Sequence, residues 1–428
     1  MKEWISSTEH APWQAGNSFA SVAGDTLSFG ETAQTVRGFG GCFNELGMIA
    51  LRQLSDEERA LVFDELFSPD KCNFTFNRMS MGANDFSAEW YSYNETDGDF
   101  DMEHFSIDYD RKNVLPYIKE AQKRQPDLAL FASPWSPPTW MKFPKAYNYG
   151  KLIREEKYLR AYAKYIRLFL EAYKNEGVDI AQYHIQNEPC STQKFPSCIW
   201  VGEEFRDFIR DYLAPEFESH GVETDIWLGT INGPEGDHRW TTTRYHQYTG
   251  IVMEDTVCRE KVKGISYQWA GKWGVQATRD AYPDLELIQS ESECGDGQNT
   301  WTYAMYIFEM MRHYFRNGVS AYVYWNMALK EGGESTWGWH QNSLVTVKDG
   351  HVKFNPEFYL MKHFSHFVRP GAKVLRTVGT MSPYAVAFVN PEGDTVVVMM
   401  NPYDTEKTVT IEGENYILAP RSFNTVRL

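Results

Sequence analysis

The chain has no C-x-x-C pair and no group of histidines at metal-ligand spacing, which excludes a zinc site of the usual kind. Its six cysteines, Cys42, Cys72, Cys190, Cys198, Cys258 and Cys294, are scattered. Cys190 and Cys198 could bridge one loop; buried free thiols are the plainer reading. No run is apolar for long enough to span a bilayer. The amino terminus, Met1-Lys2-Glu3-Trp4-Ile5, lacks the apolar core of a signal peptide. A soluble, cytoplasmic protein is expected, although a secreted one whose signal had been trimmed would read the same. No G-x-G-x-x-G follows a strand candidate, so the usual dinucleotide-binding fold is removed, and no motif asks for a cofactor. Positive charge is scarce: 42 Lys and Arg stand against 58 Asp and Glu, a formal net charge of −16. Such a chain repels phosphate backbones and anionic membranes at long range, so neither nucleic acid nor a membrane is an expected partner, and a neutral substrate fits better.

Apolar and aromatic residues are plentiful, at 42% and 15% of 428 residues, enough for a large core. Many tryptophans lie beside polar residues in expected loops (Trp135, Trp140, Trp269, Trp273, Trp301, Trp337). A flat apolar face with a polar edge is what a sugar ring stacks on. Packing is the plain alternative for each.

The middle of the sequence alternates short apolar, β-branched runs with longer amphipathic ones. Eight strand candidates stand out: Val36–Cys42, Asn73–Ser80, Asp127–Ser133, Ile180–Gln186, Thr224–Thr230, Val262–Trp269, Leu285–Glu291 and Val319–Asn326. Helical spacing fills the gaps, most clearly from Arg154 to Lys174, where Tyr158, Tyr162, Tyr165, Ile166, Phe169, Leu170 and Tyr173 recur at helical intervals before Gly177. Asp56–Phe67, Arg111–Lys123, Glu203–Ser219 and Asn299–Arg316 read the same way. Strands buried on both faces and each followed by a helix predict an α/β fold, a (β/α)8 TIM barrel over residues 36–370. Residues 371–428 change texture to closely spaced alternating strands: Lys373–Val378, Pro383–Asn390, Thr395–Asn401, Lys407–Glu412 and Phe423–Leu428. Asn17–Val22 and Asp25–Phe29, within residues 1–35, read as further strands of the same small β sandwich, which would then be built from both termini.

In such a barrel the active site forms at the carboxyl ends of the strands. The fourth candidate runs out in Gln186-Asn187-Glu188-Pro189 and the seventh in Gln289-Ser290-Glu291-Ser292-Glu293, so each sets a carboxylate at the rim. A lone Glu is ordinarily a solvated surface charge. Two at equivalent rim positions are what glycosidic cleavage needs: one protonates the leaving oxygen and the other attacks the anomeric carbon. Asn187 can reach a substrate hydroxyl beside the acid, and Pro189 fixes the chain as it leaves the strand. Glu291 and Glu293 share strand parity, so alternation cannot choose between them. Glu291 is preferred because the strand should end there, whereas Glu293 leads into the turn Cys294-Gly295-Asp296-Gly297.

A series of motifs resembles glycoside hydrolase family 30, the group of glucosylceramidases and β-1,6-glucanases. They are Gly38-Phe39-Gly40-Gly41, Asn77-Arg78-Met79-Ser80-Met81-Gly82 with Asp85-Phe86-Ser87, Ser133-Pro134-Trp135-Ser136-Pro137-Pro138-Thr139-Trp140-Met141-Lys142, Gln186-Asn187-Glu188-Pro189, Ser290-Glu291 and Tyr324-Trp325-Asn326. They come in family order and span nearly the whole chain. The resemblance implies a retaining β-glycoside hydrolase with Glu188 as acid/base and Glu291 as nucleophile. It implies Arg78, at the end of the second strand, as the group that orients the nucleophile. Asp85, Trp135, Asn187 and Trp325 would surround the innermost sugar, and Trp269 belongs to the same substrate-binding set.

One segment departs from the glucosylceramidase pattern. Ala270 follows Gln268-Trp269 where that branch carries an aromatic hydroxyl, and Gln268-Trp269-Ala270-Gly271-Lys272 is closer to the β-1,6-glucanase branch. A neutral β-glucoside, β-1,6-linked or bearing an aglycone, is therefore expected. A β-xyloside- or β-fucoside-directed member of the family is the alternative. A non-catalytic sugar-binding barrel is the more distant one, because both carboxylates are present.

Overall fold

All eight strand candidates form strands, and they close on one another in chain order. The computed structural model describes residues 3–233 and 248–428. Met1 and Lys2, part of the amino-terminal stretch read above for a targeting signal, lie outside the described residues. The barrel strands are β1 (Gly38–Phe43), β2 (Phe76–Met81), β3 (Ala129–Pro134), β4 (Gln182–His184), β5 (Asp225–Ile231), β6 (Val262–Gln268), β7 (Glu286–Glu291) and β8 (Val319–Asn326). Each pairs in parallel with the next, and β8 pairs with β1 to shut the ring.

Helices form in all five segments whose spacing predicts one, and others, such as Glu45–Leu51 and Pro356–Ser365, were not read in the sequence. Asp56–Phe67 agrees residue for residue, capped by the Ser55 side chain, which accepts from the Glu58 N–H. The long helix is Glu156–Asn175, and the chain turns just beyond it at Gly177, where φ is +79°. The segment expected as one helix over Glu203–Ser219 is two short α-helices, Gly202–Phe208 and Ala214–His220, joined by a π turn. Pro215, at the start of the second helix, has no N–H to give to a continuous ladder.

Inside the ring, Phe76, Phe131, Trp227, Ile288, Ala321 and Val323 form a core separate from the one between barrel and helices. His184 lies between two of these rings, stacked 4.4 Å from Phe131 and 5.3 Å from Trp227. Gly264 makes room for the indole, since a Cβ there would sit 2.3 Å from Trp227. This plug fills the barrel's lower half and leaves polar inward positions for the upper half.

The second sheet has nine strands, drawn from Glu3–Ser7, Gln14–Ala15 and Asp25–Thr35 at one end of the chain and from six strands between Lys373 and Arg427 at the other. Glu3–Ser7 pairs antiparallel with Phe423–Arg427. The long Asp25–Thr35 strand serves two neighbours: Asp25–Leu27 runs parallel to Val409–Ile411, and Ser28–Thr35 runs antiparallel to Lys373–Val378. Trp4, Leu27, Met399, Val409 and Tyr416 are among the residues buried between the layers. Two expectations need correction here. Asn17–Val22 is not a strand; Phe19 alone makes a bridge, to Tyr416, and both Phe19 and Val22 are exposed. Glu414–Leu418, unread in the sequence, is a strand pairing with Lys407–Ile411 through a turn at Gly413.

Between β2 and the helix Val114–Gln122 the chain makes a long excursion that carries Asp85. Its far end is fastened by Asp110, whose carboxylate accepts from the hydroxyls of Tyr91, Tyr93 (2.6 Å) and Tyr173 (2.5 Å), the last on the long helix. No helix among the described residues is long and apolar enough to cross a membrane. Cys190 Sγ donates to Asn232 Oδ1 at 2.9 Å and does not bridge to Cys198.

Candidate active site

Arg78 organises the carboxyl end of the barrel. It is the third residue of β2 and not its last, so the expected strand-end position is corrected to an interior one. From there the long side chain climbs off the aromatic plug and is wholly buried. Its guanidinium lies 4.5 Å from the centre of the Trp135 ring and 5.4 Å from that of Trp325, two rings stacked 5.3 Å apart. A buried cation is tolerated only if its donors are met. Here Nη1 donates to Glu291 Oε2 (2.5 Å) and the Ser290 carbonyl, while Nη2 donates to Asn187 Oδ1 (2.6 Å) and Ser133 Oγ (2.8 Å).

Glu291 faces this cation because of an irregularity in β7. Ile288 belongs to the plug and Leu287 to the core outside it. Strict alternation would therefore turn Glu291 outward with Leu287. Between the pairs Tyr267–Gln289 and Gln268–Glu291, however, β7 advances two residues while β6 advances one. That β-bulge re-aims Glu291 into the barrel. Gln268 Nε2 reaches across to Glu291 Oε2 (3.1 Å), Asn187 Oδ1 (2.7 Å) and Thr230 Oγ1 (2.9 Å). Glu293 goes elsewhere: its Oε2 accepts from Tyr306, on the flank of the helix Trp301–Arg316.

Glu188 stands just beyond β4 with φ +47°, a left-handed conformation that costs a branched-free Glu of order 1–3 kcal/mol. The surrounding backbone holds it there. The Glu188 N–H donates to the Thr230 carbonyl (3.1 Å), and Gln186 and Gly229–Thr230 exchange two further bonds. Asn187 is fixed as well, since its Oδ1 takes donors from Arg78, Gln268 and Thr230, which turns its NH2 group to the other side.

The carboxyls are tuned apart. Burial pushes the Glu188 carboxyl up to about 8, with the charges of Glu291 and Asp85 adding to the rise; Arg78 and the Ser191 hydroxyl oppose it. Burial also lifts Glu291 above the ordinary 4.5, and the charge and hydrogen bond of Arg78 pull it back. Asp85 is pushed up to about 7 by burial and then by Glu291, and its Oδ1 is buried without a partner. Its loop is set by Asn84, which donates to Ser80 Oγ (3.0 Å) and accepts from the Phe86 N–H (2.6 Å).

Of the residues singled out in the sequence, Arg78, Trp135, Asn187, Glu291 and Trp325 are in mutual contact, and Glu188 and Asp85 share their field. Trp269 stands apart: it opens the 3₁₀ turn Trp269–Gly274, half-buried, and no hydrogen bond or ring contact among the described residues joins it to the cluster. Of the loop tryptophans, Trp140 and Trp301 are core residues, 2% and 3% exposed. Trp140 Nε1 donates to the Asn94 carbonyl, and Trp301 begins a helix. Ser133, Thr230 and Gln268 were not singled out. Each is a polar residue at or near the end of a barrel strand, the one feature that could have found them. A separate cleft of about 950 Å³, lined by Arg37, Arg279, Glu286 and Arg316, opens at the barrel's other end, where Arg37 is already paired with Glu286.

Comparison with known proteins places these features in a family. The glycosyl hydrolase family 30 TIM-barrel domain matches residues 36–368, and the family's beta sandwich domain matches residues 371–426. A Caenorhabditis elegans protein named "Putative glucosylceramidase 1" is 30% identical over 90% of this chain and 78% of its own. An endo-1,6-beta-D-glucanase of Trichoderma harzianum is 27% identical over 92% of this chain and 84% of its own. The crystal structure of SrfJ from Salmonella typhimurium superposes with a TM-score of 0.88 at 26% identity, covering 100% of this chain and 99% of the other.

Proposed function

The chain belongs to glycosyl hydrolase family 30, and on that premise we propose that it cleaves neutral β-glucosides, β-1,6-linked in preference, with Glu291 as nucleophile and Glu188 as acid/base. The observation that carries the assignment is the unequal treatment of the two carboxyls. One is held by Arg78 and Gln268; the other, half-buried and just beyond β4, has its carboxyl pushed up to about 8 by the surrounding protein and by the charge of the first. In this reading residues 36–370 carry the chemistry, and residues 1–35 with 371–428 form the supporting sandwich.

With Glu291 Oε2 fixed by two donors, Oε1 is the oxygen left to attack the anomeric carbon. The glycosidic bond breaks as its electron pair passes to the leaving oxygen, which takes the proton of Glu188. The product of this half-reaction is a glycosyl ester on Glu291. Esterification removes the Glu291 charge, which after burial is the next cause that raises the Glu188 carboxyl. Glu188, now ionised, draws a proton from water as that water attacks the ester, and both carboxyls return to their first states. The NH2 of Asn187, fixed by the saturation of its Oδ1, is placed to bond the sugar's 2-hydroxyl, a contact that strengthens in the transition state. Asp85, with an unpartnered buried oxygen, supplies an acceptor for a second sugar hydroxyl. The segment after β6 supports a glucan over a lipid glucoside, because Ala270 stands where the glucosylceramidase pattern has an aromatic hydroxyl.

A screen of aryl β-glycosides beside β-1,6-, β-1,3- and β-1,4-linked glucosyl oligosaccharides tests this, with the first-formed anomer read by NMR. The expected result is β-glucose released fastest from the β-1,6 linkage. An α-anomer as first product would end the double-displacement reading. Turnover of β-xylosides with no β-glucoside cleaved would end the assignment to glucose.

A further inference from the structure

The loop after β8 carries two tryptophans that the catalytic cluster does not use. Residues 334–340 form a tight hairpin: the Ser335 N–H donates to the Trp339 carbonyl (2.7 Å), the Trp339 N–H to Ser335 Oγ (3.0 Å), and Glu334 bridges His340. Gly338, at φ +87°, makes the reversal, which few other residues would tolerate. Trp337 and Trp339 thus project to one side and stack, centroids 5.2 Å apart and planes 24° from parallel. Trp339 is 48% exposed, an unusual position for an indole on a loop tip.

Two contacts fix where this pair stands. Trp337 meets the ring of Phe195 at 5.2 Å. Phe195 lies on the loop that leaves Glu188, and that loop is clamped by Lys142, whose buried ammonium donates to the Ser197 carbonyl (2.6 Å) and to the Tyr147 carbonyl (2.8 Å). On its other flank, the Thr336 hydroxyl donates to the Asp85 backbone carbonyl (3.4 Å). The indoles are therefore braced between the Asp85 loop and the loop that leaves Glu188.

We propose that the stacked Trp337–Trp339 pair is the platform for the leaving-group sugar, with the exposed face of Trp339 stacking on its ring. The inference rests on the glycosidase reading above. A sugar fits the surroundings better than a lipid chain: Glu334, Thr336 and His340, the exposed neighbours on the hairpin, are polar and can meet ring hydroxyls, whereas an acyl chain needs a broad apolar surface. The hairpin's own hydrogen bonds hold the pair ready, so little conformational freedom is lost on binding.

The test compares three substrates on wild type, Trp339→Ala and Trp339→Tyr: β-glucosyl fluoride, a β-1,6-linked glucosyl disaccharide and octyl β-glucoside. Fluoride is too small to reach the platform. For Trp339→Ala, the ratio of kcat/KM on the disaccharide to that on the fluoride should fall about tenfold, and Trp339→Tyr should recover most of it. An unchanged ratio overturns the platform, whether both substrates slow together or neither does. A loss confined to octyl glucoside overturns the sugar in favour of an apolar aglycone. If wild type cleaves none of the three, the β-glucoside reading itself fails, a result distinct from an unchanged ratio in an active enzyme.

Discussion

Among the described residues, carboxyls with raised pKa values stand at the barrel's mouth, on its flank at Asp110 and beside Asn342 at Glu357, and the first two places make the sharpest contrast. On the barrel's flank, burial pushes Asp110 up to about 6, but both of its oxygens are met, by three tyrosine hydroxyls from two segments. At the barrel's mouth, burial pushes Asp85 to about 7 and Glu188 to about 8, and here an oxygen of Asp85 is left without a donor while Glu188 sits on a strained backbone. A shifted pKa accordingly says only that a charge has been removed from water. A group whose lone pairs are all taken serves as a fastening; a free lone pair leaves a group open to a substrate without making it a reagent, as at Glu357, pushed up to about 8 with an Oε2 that has no donor among the described residues.

Substitutions should separate the two clusters. The largest effect is expected from Glu291→Ala, a loss of about 10⁵–10⁶-fold in kcat on good and poor leaving groups alike, as when a nucleophile is removed. Azide added to that variant should yield the α-glycosyl azide. Near-normal turnover would remove Glu291 from the mechanism. Glu188→Ala should cost less, about 10²–10⁴-fold on a disaccharide and little on a nitrophenyl glycoside, whose leaving group hardly needs a proton. Azide should here give the β-glycosyl product. The same residue sets a pH limit. Because Glu188 must carry its proton, kcat/KM of the wild type should fall as pH rises through about 8, and Glu188→Gln should lose that limb. The acidic limb, set by ionisation of Glu291, should lie above the ordinary 4.5.

The fastening should answer in stability and not in rate. Asp110→Asn sets an amide N–H against hydroxyl donors, and about 1–3 kcal/mol of unfolding free energy should be lost, with kcat at 25 °C within about twofold of wild type. A pH series sharpens the point. Asp110 binds its proton more tightly folded, at about 6, than at its ordinary 3.8. The stability it contributes is full below about pH 4 and is lost as pH rises through about 6, a slope that Asp110→Asn should flatten. The smallest effect belongs to Glu293→Gln. Its carboxylate is engaged by Tyr306, away from the Arg78 cluster, so kcat should change by less than about twofold.

The barrel was legible because short apolar runs alternate with helical spacing along the chain, clearest in β5, β6 and β8; β1, rich in glycine, and β2, with Asn77, Arg78 and Ser80, stand out less on their own. The sandwich was less so. Phe19 and Val22 lend Asn17–Val22 a strand-like composition but are exposed, and Glu414–Leu418 alternates too weakly behind its glycine turn to separate from Lys407–Ile411. Position in the chain also hides what a bulge does. Alternation could not choose between Glu291 and Glu293, and taken strictly it turns Glu291 away from the barrel; the extra residue in β7 is a property of pairing with β6 and leaves no mark in β7 alone. Gln268 and Thr230 were overlooked for a related reason: each matters through a partner on another strand. Arg78 does meet Glu291, but from lower on the strand than expected, because its reach comes from the side chain and not from the strand end.

The pairing of Glu3–Ser7 with Phe423–Arg427 has a consequence for how the protein is made. A chain emerging from the ribosome exposes the first of these strands about 400 residues before its partner exists, which at 5–20 residues per second is roughly 20–80 s. The strand from Asp25 to Thr35 waits nearly as long for its neighbours, and β1 cannot be enclosed until β8 arrives. Throughout that interval the nascent chain carries unpaired edges open to another chain, and the charge excess of the sequence is one feature that keeps such copies apart.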